Sequence, residues 1–180
     1  MIPDSDLVGQ SVTLTAFREE HAERYAAWLA DPYIQRMAGE EAETPEQVIE
    51  RHRAWTASPT FLEYIVTERQ GGTPIGDISL DFAHGDPRIG IMIADPAYRG
   101  RGHAAEAFRL VASVARRMGA RRIIAEIYDW NDRSMRFHER MGFHRARHDD
   151  ALHEWIYEAN IDAPPLPPSA QGHSSGGLTG

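Results

Sequence analysis

The chain contains neither cysteine nor lysine. Without cysteine, disulfides and thiolate metal sites are excluded. Without lysine, a lysine Schiff base is impossible, and so is the nucleoside-triphosphate loop that ends in G-K-[ST]. All 19 basic residues are arginine, a bias that we attribute to genomic base composition.

The sequence also has fewer basic than acidic residues, 19 against 27, and no long apolar run. Its net charge of −8 argues against a nucleic-acid partner, because phosphate binding favours a basic surface. No apolar stretch reaches the length of a membrane span, and the opening residues MIPDSDLVGQ lack the charged-then-apolar order of a leader peptide. We therefore expect a cytoplasmic protein that contacts no membrane.

Hydropathy patterning predicts one domain over residues 1–162 and a disordered tail over 163–180 that is rich in proline, glycine and serine. Within the domain, short or alternating apolar runs predict strands, and apolar residues at helical spacing predict helices. The predicted strands cover 11–15, 61–67, 75–82, 89–94, 122–128, 143–147 and 152–159, and the predicted helices cover 19–29, 44–55, 104–118 and 131–141. This order predicts a mixed α/β sheet with a parallel centre, flanked by helices, in which a crossover helix joins 89–94 to 122–128.

The most informative stretch is the loop ADPAYRGRGHAAEA, which follows an apolar run and leads into the best-defined helix. It carries Arg99, Gly100, Arg101 and Gly102 at the mouth of that helix. A helix N-terminus presents unpaired N–H groups to an anion, glycine lets the backbone approach closely, and arginine adds charge-assisted bonds. The pattern predicts a phosphate site, with a plain glycine turn and solvated arginines as the alternative.

A dinucleotide site is one interpretation of this loop. Gly100, Gly102 and Ala105 nearly fit G-x-G-x-x-G/A, and Glu126 lies in the following strand, where a ribose-binding acid can stand. The insertion of residues 95–99 between strand and glycines counts against this interpretation, and so does the small number of strand–helix–strand units.

A second interpretation depends on a family resemblance. Residues 91–104, IMIADPAYRGRGHA, resemble the acetyl-CoA motif [QR]-x-x-G-x-[GA] of the GNAT N-acetyltransferase superfamily, with matches at Arg99, Gly102 and Ala104. Residues 131–143, NDRSMRFHERMGF, resemble the second GNAT motif, N-x-x-[AS]-x-x-[LF]-Y-x-[KR]-x-G-F. The motifs have the usual order and separation, and the resemblance covers nearly the whole chain except the tail. The ribosomal-protein and polyamine branch is the most similar part of the family.

The resemblance implies a GNAT-like central sheet and acetyl-CoA as cosubstrate. It assigns the pyrophosphate to the glycine loop and the pantetheine arm to the backbone of strand 89–94, where Met92 or a neighbour polarises the thioester carbonyl. Asn131 and Ser134 are assigned to further coenzyme contacts, and Asn131 also suits a helix N-cap. The implied coenzyme-binding residues are Met92, Ile93, Ala94, Arg99, Gly100, Arg101, Gly102, His103, Ala104, Asn131 and Ser134.

The resemblance also implies catalytic roles. His138 stands where the family commonly has a tyrosine that donates a proton to the departing thiolate, and a protonated histidine could do the same. A partly buried structural histidine is the alternative. The general base is less defined, and we select Asp77, on the strand before the glycine loop, and Glu126, at the end of the next strand.

Acidic residues lie where the family binds its acceptor: Asp31, Glu40, Glu41, Glu43, Asp149 and Asp150. They favour a cationic primary amine, such as a polyamine, an aminoglycoside-like compound or a protein N-terminus, because a negative surface attracts cations. The resemblance thus predicts an N-acetyltransferase that works by direct attack in a ternary complex.

Three further expectations complete the sequence-based interpretation. His144, His148 and His153 lack the spacing and partner ligands of a metal site, so no metal is expected. A homodimer is suggested by family habit. A non-catalytic acyl-CoA-binding or sensor module and an NAD-binding oxidoreductase stay open as alternative functions.

Overall fold

A computed structural model describes residues 5–161. Its strands are β1 Leu7–Val8, β2 Val12–Thr15, β3 Phe61–Glu68, β4 Pro74–Asp81, β5 Arg88–Ile93, β6 Arg122–Tyr128, β7 His144–Asp149 and β8 Glu154–Asn160. They form one sheet in the order β1-β2-β3-β4-β5-β6-β8-β7. The β5–β6 pair is parallel and the other pairs are antiparallel. The predicted mixed sheet with a parallel centre is confirmed, and the predicted tail lies outside the described residues.

The helices are α1 Ala22–Leu29, α2 Pro32–Ala38, α3 Pro45–Ala57, α4 His103–Arg117 and α5 Asp132–Arg140, and a short 3-10 turn, Glu19–His21, precedes α1. Helix α3 begins with a capping box. Thr44 Oγ1 accepts a hydrogen bond from Gln47 N at 3.3 Å, and Gln47 Oε1 accepts one from Thr44 N at 2.8 Å. Such a cap stabilises a helix by about 1 kcal/mol.

Helix α2 and strand β1 are additions to the predicted elements. The pair Asp31-Pro32 follows the first helix and starts the second. Asp31 Oδ1 accepts a hydrogen bond from Tyr33 N at 2.9 Å, and Pro32 occupies the first helical position. The helix has only seven residues and buries Ile34 alone, so apolar periodicity does not reveal it.

Helices cover the sheet on both faces. On one face α4 packs with Ala107, Val111 and Ala115 completely buried. On the other face α1 and α3 pack with Leu29 and Val48 in one buried cluster. Each fully buried aliphatic side chain of Leu or Val size contributes about 1.5–3 kcal/mol. Among residues 5–161, no helix has both the length and the apolar character needed to cross a bilayer.

The two parallel strands separate soon after they meet. Strand β5 has six residues and β6 has seven, yet the only pair in register between them is Arg88 with Ile124. Beyond this pair the carboxyl ends of both strands diverge, and α4 begins just after β5. Ligands of open α/β sheets bind outside the carboxyl ends of the strands, so the gap is the first place to look for a site.

Candidate active site

The divergence of β5 and β6 opens a cavity of about 650 Å³, within the range of small-molecule sites. Helix α2, strands β4 to β6, the first turn of α4 and helix α5 line it. The sequence-predicted residues on its wall are Asp77, Met92, Ile93, Arg99, Gly100, Gly102, His103, Ala104, Glu126, Asn131, Ser134 and His138. Ala94 is buried below the surface, and Arg101 lines a shallower depression beside Gly102.

The backbone of β5 bonds alternately to its two neighbours, as any strand inside a sheet does. On one side, Ala94 N donates to Ile75 O of β4 at 2.9 Å. On the other side, Pro87 O accepts from Ile124 N of β6 at 2.9 Å. Even-numbered positions of β5 therefore bond to β4, and odd-numbered positions face β6.

This alternation decides which amides face the gap. Past the single β5–β6 pair, Ile91 and Ile93 direct their N–H groups towards the cavity. Met92 lies opposite Asp77 of β4 and directs its backbone groups to that strand. Of the residues assigned to the pantetheine arm and the oxyanion hole, the geometry therefore offers the backbone of Ile91 and Ile93.

The glycine loop has the backbone shape that only glycine adopts easily. Gly100 and Gly102 have φ values of 78° and 90°, in the left-handed region. A Cβ at either position would meet no atom within 4 Å, so the space above the loop is open. Gly102 is the N-cap of α4, and no side chain caps this helix. The first N–H groups of α4 are therefore directed at an open cradle, the geometry of an anion site.

The two arginines of the loop differ in their contacts. Arg99 folds back onto the end of β5, where its Nε donates to Ile93 O at 2.8 Å and its Nη2 donates to Ala94 O. Its guanidinium also lies 4.6 Å from the centre of the Tyr33 ring. Arg101 is exposed. Its guanidinium carbon lies 5.7 Å from the centre of the Tyr98 ring. Arg99 braces the loop, whereas Arg101 is free to meet a phosphate.

Asn131 fastens two walls of the cavity together. Its Oδ1 accepts from Ser134 N at 3.0 Å and caps α5, as the sequence suggests. Its Nδ2 donates to Met37 O at the end of α2, 2.8 Å away. Beside it, Trp130 Nε1 donates to Arg36 O at 2.8 Å. The loop between β6 and α5 thus holds α2 over the cavity.

His103 is the first residue of α4, and its ring contacts Ser11. It is 8 % exposed, and its Nδ1 lies 3.2 Å from Ser11 Oγ at the start of β2. Glu106, one turn later, accepts hydrogen bonds from the backbone of Gln10 and from Ser11. These contacts attach the start of α4 to the residues before β2 and engage Nδ1 of the His103 ring, and the backbone N–H of His103 is directed at the cradle.

His138 is buried and retains one unpartnered nitrogen. Its Nδ1 lies 2.9 Å from Ser134 O, and a carbonyl can only accept, so Nδ1 carries the proton. Its Nε2 is buried and has no hydrogen-bond partner among residues 5–161. Burial lowers the pKa of His138, and the bond to the Ser134 carbonyl opposes this only in part. A neutral ring with an open Nε2 can accept a proton there before it can donate one.

Asp77 is a carboxylate in an environment that disfavours its charge. It retains contact with the cavity, while its Oδ1 is buried and has no hydrogen-bond partner among the described residues. Burial, followed by the charges of Glu63 and Glu40, raises the pKa of Asp77 well above its ordinary value. A hydrogen bond from Tyr25 and the charge of Arg51 act in the opposite direction. A carboxylate with raised proton affinity is suited to take a proton from an amine.

Glu126 stands in a different environment at the other side of the gap. It lines the cavity but is about one-third exposed, and Arg88 Nε donates to its Oε1 at 2.9 Å. This ion pair spans the last point at which β5 and β6 meet. Because Glu126 is paired with Arg88, it is better placed to hold the two strands together at the mouth of the gap than to accept a proton.

Polar residues below Asp77 form a group that sequence reasoning missed. Glu63 of β3 and His52 of α3 are 8 % and 1 % exposed, with Oε2 and Nε2 3.1 Å apart. Arg51 Nη1 contacts Glu40 at 3.1 Å and Glu43 at 3.3 Å. One signal for this group was present in the sequence, because Glu63 interrupts the otherwise apolar run FLEYIV of β3.

Two histidines of the final hairpin, His148 and His153, lie beside carboxylates. His148 contacts Asp129 through Nε2 at 2.7 Å and Asp150 through Nδ1 at 2.6 Å. Both bonds raise the pKa of His148, that to Asp129 the more. Within residues 5–161, no group of three or more His, Asp or Glu side chains is placed to hold a metal ion.

Comparisons with known proteins agree with this geometry. Residues 11–144 match the family model described as an acetyltransferase (GNAT) domain. An N-acetyltransferase 9-like protein of Caenorhabditis briggsae is 27 % identical over 166 residues, which are 84 % of this chain and 84 % of that protein. An alpha/beta-tubulin-N-acetyltransferase 9 of Mus musculus is 26 % identical over 173 residues, 88 % of this chain and 72 % of the relative.

A solved structure extends the agreement to the fold. The crystal structure of an acetyltransferase (GNAT family) from Bacillus anthracis superposes with a TM-score of 0.76 at 18 % identity, over 88 % of this chain and all of that one. At that identity the likeness concerns the arrangement of helices and strands alone.

Proposed function

Because the chain belongs to the GNAT family of acetyltransferases, which use acetyl-CoA as cosubstrate, we propose that it transfers the acetyl group to a primary amine of a cationic or peptide acceptor. The observation that carries the proposal is that one cavity joins the glycine loop to the carboxylate of Asp77. A phosphate cradle and a proton acceptor thus open on the same space. The dinucleotide interpretation has no such support, since β5 and β6 are the one parallel pair in the described sheet.

The residues present fit acetyl-CoA, which supplies an activated acetyl thioester. The open cradle above Gly100 and Gly102 would take the pyrophosphate on the first amides of α4. Arg101 would add a charge-assisted contact from the solvent side. The amides of Ile91 and Ile93 would bond the extended pantetheine arm as an added strand does. One of them would also polarise the thioester carbonyl as an oxyanion-hole donor.

Two protons leave the amine nitrogen in this reaction, and the cavity offers a place for each. An amine arrives as ammonium and must lose a proton before it can attack. Asp77 would take this first proton, because its buried carboxyl has a raised pKa and an unpartnered Oδ1. His138 Nε2 would receive the second proton after the attack and pass it to the departing sulfur. Glu126 would hold the strands at the entrance through Arg88.

The proposed class of acceptor depends on the acidic residues near the cavity and on the sequence relatives. Glu40 and Asp77 line the cavity, and Asp149 and Asp150 lie on the hairpin β7–β8. The mouse relative is named as a tubulin acetyltransferase, which favours a protein or peptide amine. The ribosomal-protein and polyamine branch stays a prediction, because the two sequence relatives carry a different name.

Titration calorimetry with CoA and a turnover assay with acetyl-CoA test this function. The acceptors to compare are spermidine, an aminoglycoside, a free amino acid and a peptide with a free N-terminus. We expect CoA binding and fastest turnover of the peptide. CoA binding with no turnover of any acceptor would favour the sensor module, and the absence of CoA binding would contradict the coenzyme site itself.

A further inference from the structure

The pair formed by His52 and Glu63 lies outside the cavity and has no part in the reaction described so far. The His52 ring is 1 % exposed and is stacked on Phe17 at 3.7 Å between ring centres. The rings of Tyr25 and Trp55 meet it edge-on at 4.8 and 5.1 Å. Burying a histidine and a glutamate in such apolar surroundings costs desolvation free energy unless the two side chains pair with each other.

The contacts of His52 determine where its proton lies. Nδ1 is 2.8 Å from Val48 O, and a carbonyl cannot donate, so Nδ1 carries a hydrogen. Nε2 faces Glu63 Oε2 at 3.1 Å. Two lone pairs would repel at that distance, so one proton lies between the imidazole and the carboxylate. Beyond this contact, neither Nε2 of His52 nor Oε1 of Glu63 has a hydrogen-bond partner among the described residues.

We propose that His52 and Glu63 form a buried ion pair that sets the protonation of Asp77, as positioning residues behind the proton acceptor. The inference rests on the proposed function for its biological meaning, but not for its test. Glu63 and Asp77 lie on adjacent strands, where Glu63 pairs with Ser79 and Asp77 pairs with Ile65. Because side chains two residues apart share a face, both carboxylates lie on the sheet face that α1 and α3 cover.

The charges around the pair favour a proton on the imidazole. The groups that act on Asp77 come from several packed elements: Tyr25 of α1, Glu40 after α2, Arg51 of α3 and Glu63 of β3. His52 contacts Glu63, and its charge also acts on His21 of the 3-10 turn before α1. Arg51 is already shared between Glu40 and Glu43. His52 is then the cation left to balance Glu63, and Glu63 is the like charge beside Asp77.

The ion pair predicts opposite effects of two substitutions. Glu63→Gln removes the like charge, so Asp77 releases its proton at lower pH. His52→Gln removes the cation that offsets Glu63, so Asp77 holds its proton to higher pH. Removing a like charge from beside a buried carboxylate shifts its titration midpoint by about one pH unit. Each substitution has a matched control. Glu50→Gln removes an exposed carboxylate from α3 and is the control for Glu63→Gln, and His84→Gln removes an exposed imidazole and is the control for His52→Gln.

The experiment follows the Asp77 carboxyl carbon by NMR titration of the full chain, with the signal assigned from its loss in Asp77→Asn. We expect the midpoint to fall by about one unit in Glu63→Gln and to rise by a similar amount in His52→Gln, with no shift in either control. An unchanged midpoint in Glu63→Gln, or a lowered one in His52→Gln, would overturn the proposal. Because the readout is a titration, it gives an answer even if no acceptor is turned over.

A second measurement needs no variant and covers the case in which a buried substitution does not fold. Imidazole nitrogen spectra of the unaltered chain should show protons on both nitrogens of His52, because the ion pair requires a charged imidazole. A bare Nε2 would overturn the ion pair. If turnover is established, the acidic limb of kcat/KM should move with the Asp77 midpoint in each variant, whereas a purely structural role would lower the rate without moving the limb.

Discussion

Arg99 Nε donates a hydrogen bond to the backbone carbonyl of Ile93, 2.8 Å away, and so ties the glycine loop to the end of β5. The bond occupies the cavity-facing carbonyl of Ile93 and leaves its N–H free. A motif residue that the sequence assigns to a phosphate is thus engaged in shaping the loop, and the neighbouring Arg101 remains exposed.

This contrast predicts that substitution of the two arginines has different effects on melting temperature and on CoA affinity. Arg99→Met keeps the apolar stem but removes two bonds to backbone carbonyls, so it should lower the melting temperature and weaken CoA binding. Arg101→Met removes no such bond, so it should leave the melting temperature unchanged and weaken CoA binding mainly at low salt, because exposed charges are screened. Thermal melting and calorimetry at two salt concentrations check this. Equal melting temperatures for both variants would contradict the bracing role of Arg99.

Gly102 and Gly119 offer a matched pair at the two ends of α4. Their φ values are 90° and 91°, and a Cβ at either would meet no atom within 4 Å. Alanine at either position should therefore cost a similar amount, about 1 kcal/mol. Only Gly102→Ala should also reduce CoA affinity, by tenfold or more, because the cradle depends on its backbone. Calorimetry with CoA on both variants tests this prediction. An equal loss of CoA affinity in Gly119→Ala would contradict the role of Gly102 in the cradle and would indicate general destabilisation.

Asp77→Asn should make the protein more stable and less active. Burial raises the folded-state pKa of Asp77, so its contribution favours the folded state below the ordinary pKa and is lost as the pH rises through the folded value. Above the ordinary carboxyl range the buried Asp77 therefore lowers the free energy of unfolding, and asparagine removes that penalty. Melting curves should show a gain at pH 8 that shrinks towards pH 4, together with a fall in turnover. A lower melting temperature at pH 8 would contradict the charge penalty.

His138→Phe tests the proton-accepting nitrogen. It keeps a ring in the buried site and removes Nε2, so turnover should fall by roughly 10²–10⁴, the usual contribution of an acid–base group, while the Kd for CoA stays within about threefold. The control is His144→Gln, an exposed histidine of β7. Unchanged turnover in His138→Phe would remove this residue from the mechanism.

His148 gives the final hairpin a pH-dependent attachment. Bonds to Asp129 and Asp150 raise its pKa, so its stabilisation is complete below the ordinary histidine value and is lost as the pH rises past the folded value. His148→Gln should therefore lower the melting temperature at about pH 5.5 and make little difference at about pH 9. A difference that is the same at both pH values would show that the ring acts by packing alone.

Much of the fold could be predicted because the signals are local. The capping box at Thr44, the apolar stripe of α4 and the alternation in the strands each lie within a few residues of one another. Helix α2 escaped prediction because seven residues with one buried position carry no periodic signal. The buried pair of His52 and Glu63 escaped because its members come from different elements and meet only when α3 packs on β3.

The sequence by itself determined the family, the order of all strands and helices except β1 and α2, and the positions of the two motifs, because these depend on residue spacing along the chain. Only the tertiary structure decided that Arg99 is a brace, that Ile91 and Ile93 face the gap, and that Asp77 has a raised pKa. The physical reason is that hydrogen bonding and desolvation act through space, between groups that the chain brings together only when the sheet and its helices pack.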